Sequence, residues 1–71
     1  MDQRHKMALE RFANAARPLL FLDTPGIGEA TWKALLAKGW IEPTDDSDLK
    51  WWMRPHQITA EGRAALDNRT P

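Results

Sequence analysis

Residues 50–58 read KWWMRPHQI, and the reading of this stretch decides the fold. As a helix it would make the protein an all-helical bundle. It reads better as a strand interrupted by Pro55. Strict alternation back from Ile58 would send His56, Arg54 and Trp52 inward, a poor core. A one-residue bulge at Pro55 repairs the pattern. Trp51 and Met53 then face inward, and Trp52 and Arg54 face solvent. Immediately before lies EPTDDSDL, residues 42–49, a polar and acidic turn. A strand partner for 50–58 is expected at 41–43, giving a two-stranded hairpin. Immediately after, Thr59 is a good N-cap for a short helix over 60–67. In that helix Gly62 permits close approach to a neighbour and Leu66 anchors it.

Further out, residues 28–38, GEATWKALLAK, form a helix with Trp32, Leu35 and Leu36 as its apolar stripe. Glu29 in its first turn and Lys38 in its last complement the helix dipole. Gly39 suits the C′ position that ends it, and Trp40 and Ile41 follow as a buried pair. Thr24-Pro25-Gly26-Ile27-Gly28 is a turn with two glycines. Leu19 to Leu22 lack a period and fit a short helix or a short strand. Pro18 suits a first helical position, so a helix over 18–22 is expected. Residues 4–16 form the first helix, with Leu9, Phe12 and Ala16 at spacings of three and four. The expected core is Leu9, Phe12, Leu19, Leu22, Ile27, Trp32, Leu35, Leu36, Trp40, Ile41, Met53, Ile58 and Leu66.

At 71 residues and 42% hydrophobic content, the chain holds one α+β domain over 1–71. There is no cysteine, so no disulfide or thiolate metal site can supplement the core. The longest apolar run, Leu19 to Leu22, is too short for a membrane span or a signal segment. The protein is therefore expected to be soluble and cytoplasmic, with no membrane partner. Net charge is zero, from ten basic and ten acidic residues. Residues 1–22 and 49–71 each carry four basic and two acidic groups, whereas 23–48 carry two basic and six acidic ones. Dedicated DNA-binding domains usually show a basic excess.

Two stretches resemble a known family. Leu35-Leu36-Ala37-Lys38-Gly39-Trp40-Ile41 resembles the end of the recognition helix and the first wing strand of winged-helix proteins. Ile58-Thr59-Ala60-Glu61-Gly62-Arg63-Ala64-Ala65-Leu66 is similar to the second wing strand and last helix of that family. The resemblance implies a winged-helix-like domain of three to four helices with a two-stranded wing, and a regulatory role on double-stranded DNA. A homodimer would let two such domains span two half-sites. Pro25-Gly26-Ile27-Gly28, with Ala30-Thr31 and Leu35-Leu36 after it, also resembles the helix-hairpin-helix module over 19–40. In that module the glycine-rich hairpin offers backbone N–H groups to phosphate.

The chemistry points to binding rather than catalysis. The histidines are His5 and His56 and the one serine is Ser47, with no sign of a positioned base or oxyanion site. Asp45, Asp46 and Asp48 lack the glycine turn and distal Glu of a calcium loop. No enzyme activity, metal or cofactor is expected. For DNA the candidates are Gly26, Gly28, Thr31 and Lys33 on the helix side, and Lys50 and Arg54 on the wing. Arg4, Lys6 and Arg11 are further phosphate contacts. None of the helix residues is an Arg, Asn or Gln, the usual bidentate readers of bases. The alternative is a protein-binding adaptor or inhibitor, like small phage- or prophage-encoded proteins. Its candidate surface is Trp52 and Arg54 with the acidic Asp45, Asp46 and Asp48. Four tryptophans are many for 71 residues, and the bulged strand leaves Trp52 outside the core, in the kind of setting that makes interface hot spots.

Overall fold

The computed structural model describes residues 2–67; position 1 and positions 68–71 of the expected 1–71 domain lie outside the described residues. They form a small α+β unit of three α-helices and one two-stranded antiparallel sheet. Helix α1 spans Gln3–Asn14 and buries Ala8, Leu9 and Phe12. Asp2 caps it by accepting a hydrogen bond from the Arg4 backbone N–H at 2.8 Å. It ends two residues earlier than the periodicity predicts. Ala15 is already extended, at φ −74° and ψ 137°, and its N–H turns back to the Phe12 carbonyl; beyond it, Pro18 is followed by extended chain.

That extended chain corrects the helix expected over 18–22. Leu19 pairs antiparallel with His56, each backbone N–H donating to the other's carbonyl at 2.8 Å. Only Phe21–Asp23 is helical, as one 3-10 turn. The run from Leu19 to Leu22 carries no period, so only a distant ladder partner could decide its conformation. Leu22, expected in the core, is 68% exposed.

Helix α2, Glu29–Ala37, buries Trp32 and Leu35. Gly39 has φ +74°, the left-handed geometry expected of it. The Gly39 N–H donates to the Leu36 carbonyl and the Trp40 N–H to the Leu35 carbonyl, both at 3.0 Å. These two bonds form a Schellman motif, which turns the chain directly into strand β1, Ile41–Pro43.

Strand β2 covers only His56–Ile58, and Ile41, Glu42 and Pro43 face Ile58, Gln57 and His56. The long strand over 50–58 is thus not formed: Trp51–Met53 is a second 3-10 turn. The bulge that was to rescue the pattern is also overturned. Alternation is strict across β2, with His56 and Ile58 buried and Gln57 exposed. A buried histidine is tolerated because its ring finds a polar partner: the Nδ1–H donates to the Arg54 carbonyl at 2.8 Å. Met53, expected inside, is 48% exposed. Trp51 is half-buried and Trp52 exposed.

Helix α3, Ala60–Asp67, starts where the Thr59 cap predicts. The Thr59 hydroxyl accepts from the Gly62 N–H at 3.0 Å and donates to the Gly39 carbonyl at 2.6 Å. One side chain therefore fastens α3 to the end of α2. The core between these elements is Ala8, Leu9, Phe12, Ile27, Trp32, Leu35, Ile41, Ile58 and Leu66. Leu19, Leu36 and Trp40 pack at its margin, half-buried. Thr24 and His56 are buried polar members that hydrophobicity does not nominate. The Thr24 hydroxyl donates to the Leu20 carbonyl at 2.6 Å, which holds the turn leading to α2.

Candidate binding surfaces

The fold arranges the candidate residues on two separate surfaces. The first is an open cleft of about 660 Å³ between α1 and the start of α2. Arg4, Met7, Ala8 and Arg11 line it from α1; Gly26, Gly28, Glu29, Ala30 and Thr31 line it from the turn and α2. Arg4, Met7 and Arg11 share one face through their spacing of three and four. The first intrahelical bond of α2 runs from the Trp32 N–H to the Gly28 carbonyl. Gly28 has no side chain to cap the N–H groups of Glu29, Ala30 and Thr31 in the first turn. The Arg11 side chain lies against Gly26, where a Cβ would collide with its Nη1 atom. Gly26 is thus what lets the guanidinium reach across the cleft.

Of the DNA-contact candidates, the cleft unites Gly26, Gly28 and Thr31 and leaves out Lys33, Lys50 and Arg54. Lys33 Nζ pairs with Glu29 Oε2 at 2.9 Å and sits 5.2 Å from the centre of the Trp51 ring. Arg54 turns back onto the acidic hairpin. Its Nε donates to Asp45 Oδ1 at 3.1 Å, and its Nη2 to the Asp45 carbonyl. This guanidinium holds the Asp45 carboxyl below the usual carboxylate range. Lys50 is exposed.

The second surface is the end formed by the two 3-10 turns, which pack against each other. The Phe21 and Trp51 rings meet edge to face, 4.8 Å between centres. Leu22 belongs to the first of these turns, Trp52 and Met53 to the second, and Leu49 comes just ahead of the second in the chain. All four are exposed large hydrophobics. Trp52 was singled out by the sequence. The sequence alone puts Leu22 and Met53 in the core, because a hydrophobic residue in a small domain is expected inside unless something displaces it. Two adjoining turns displace it here, and no periodicity announces them.

His56 is buried beneath the Trp32 ring, 5.2 Å between ring centres. Asp45 is engaged by Arg54 and Ser47, and the described residues hold no cluster of three or more potential metal ligands. Nor, among them, is any helix long and apolar enough to cross a membrane.

Burial makes His56 a pH-sensitive part of the fold instead. Desolvation pushes its pKa below the ordinary 6.5, outweighing the hydrogen bond to the Arg54 carbonyl and the Asp45 charge, which favour the imidazolium. The unfolded chain therefore takes up a proton that the folded chain resists. Stability is fully present above pH 6.5 and falls as the pH drops from there toward the folded-state pKa. Thermal melts should show a Tm falling from pH 7.5 to pH 5, and a flatter profile for His56→Phe. Equal slopes in the two proteins would remove His56 as the cause.

Compared with protein-family models, with curated proteins and with solved structures, the chain matches none of them.

Proposed function

We propose that the chain is a non-enzymatic regulatory domain of winged-helix type, which binds double-stranded DNA by seating phosphate in the cleft between α1 and α2. The observation that carries this reading is the convergence of Arg4 and Arg11 on the uncapped start of α2. Two guanidiniums and a helix N-terminus favour an anion there. Glu29 lines the same cleft, but Lys33 offsets its charge. Contact runs through α1 and α2 rather than the wing, because Arg54 is bound to Asp45 and the hairpin tip is acidic. On this reading Thr31, which lines the same cleft, is the residue that meets a thymine methyl. The absence of bidentate readers on α2 makes phosphate the larger share of the binding energy, and sequence discrimination is weak.

The test is a titration with random duplex DNA at several salt concentrations. Affinity should fall with a log–log slope near −0.9 per phosphate neutralised. Arg4→Gln with Arg11→Gln should reduce that slope by about 1.8, two phosphates' worth. No binding at low salt would refute the reading. A second reading, a protein-binding adaptor or inhibitor of the phage type, is favoured by the exposed apolar end at Leu22, Leu49, Trp52 and Met53.

A further inference from the structure

We propose that the end built from the two 3-10 turns docks a cationic, apolar-faced protein segment, with a Lys or Arg of the partner over the Trp52 ring. The inference rests on the second reading above and names its partner by charge.

The apolar part is the group Leu22, Leu49, Trp52 and Met53, between 37% and 68% exposed. The chain around it is acidic. Asp23 adjoins Leu22, and Asp46 and Asp48 lead into Leu49. All three are exposed and form no ion pair among the described residues. Lys50 is the nearby cation in the same condition, since Lys33 and Arg54 are held by Glu29 and Asp45. The surface therefore presents apolar area with an acidic surplus.

The tryptophans sharpen the point. Trp32 is fully buried. Trp40 carries Lys38 Nζ 5.0 Å from its ring centre, and Trp51 carries Lys33 Nζ at 5.2 Å. Trp52 is the exposed one, and no cation of the described residues lies over it. The negative face of an indole ring attracts Lys and Arg. The same acidic rim disfavours duplex DNA and an anionic membrane, which it repels. It also disfavours a second copy, which would set Asp23, Asp46 and Asp48 against their own kind.

The experiment uses the full chain and three synthetic amphipathic helical peptides. All carry leucine on one face; the other face is Lys/Arg, Gln or Glu. Polarisation titrations should show the cationic peptide binding most tightly, more weakly as salt rises, and the Glu peptide not binding. Trp52→Ala should weaken the cationic peptide by about tenfold or more, as for an interface hot spot. Leu22→Lys, at a position too exposed to disturb the core, should weaken it as well. Asp46→Asn with Asp48→Asn should bring its affinity down to that of the Gln peptide. If the Gln peptide already matches the cationic one in the native protein and depends equally on Trp52, protein docking stands and the cationic partner falls. No binding by any peptide, or binding indifferent to both Leu22→Lys and Trp52→Ala, overturns the site itself. A concentration-dependent dimer lost in Leu22→Lys would overturn the proposal in favour of a second copy.

Discussion

Gly62→Ala is expected to lower the unfolding free energy by about 2 kcal/mol, although helix propensity favours alanine by about 1 kcal/mol. A Cβ on Gly62 would collide with the Trp40 carbonyl oxygen and come within 2.8 Å of Ile58 Cγ1 and 3.1 Å of the Trp40 carbonyl carbon. The Ile58 methylene can give; the carbonyl cannot. It accepts a hydrogen bond from the Thr59 N–H at 2.9 Å, and the Schellman turn just before it fixes the peptide plane. Relief requires α3 to move as a body. That movement strains both Thr59 bonds and uncovers Leu66. Overpacking of this kind costs up to about 3 kcal/mol, and the propensity gain offsets about a third of it. For 71 residues the total stability is about 4–10 kcal/mol, so the loss is a large fraction. Urea denaturation followed by circular dichroism measures it. A midpoint unchanged or raised would mean that α3 does not rest on Trp40.

Local signals in the sequence carried the elements that are closed by local chemistry. Gly39 at C′, Thr59 at the N-cap and Gly62 at a close contact are each decided within a few residues, and each holds. Strand β1 and helix α3 follow from them. The misreadings share another cause. Leu19 is extended because His56, far along the chain, offers it two hydrogen bonds. His56 is inside because its own backbone supplies an acceptor at Arg54. The bulge placed at Pro55 comes from reading Arg54 and His56, inward together with Trp52, as a poor core. With His56 and Ile58 both inward, simple alternation holds across β2, but it goes no further back, because Trp52, which it would also bury, is exposed on a 3-10 turn. The cleft was half legible. Gly26, Gly28, Thr31, Arg4 and Arg11 are all candidates on sequence, yet nothing in their separate contexts shows that α1 and α2 bring them together. Lys33, Lys50 and Arg54 were named on charge alone, and charge alone does not reveal that Glu29 and Asp45 hold two of them.

Trp32→Ala should be the most damaging single substitution in the protein, costing about 3–5 kcal/mol. Its indole is fully buried and meets an aromatic ring on each of three elements: Phe12 of α1 at 5.0 Å, Phe21 of the first 3-10 turn at 5.5 Å and His56 of β2 at 5.2 Å between ring centres. Truncation leaves a cavity bordered by three rings on three elements, and no one of them can fill it without leaving the other two. The loss rivals the whole stability of a domain this small, so far-UV circular dichroism should show a largely unfolded chain at 25 °C. Trp32→Phe is expected to be much milder. It keeps an aromatic edge for Phe12 and Phe21, and it removes the Nε1–H, a buried donor with no acceptor among the described residues. Leaving such a group unpaired costs about 1–3 kcal/mol, which offsets part of the lost area. A Phe variant as unfolded as the Ala variant would show that indole size, not ring contact, governs the site. Trp52→Ala supplies the contrast. Its ring meets Trp51 at 5.6 Å outside the buried cluster, so the fold should survive its loss. A chain that unfolds without Trp32 and stays folded without Trp52 divides the aromatic residues into those spent on the core and the one left for a partner.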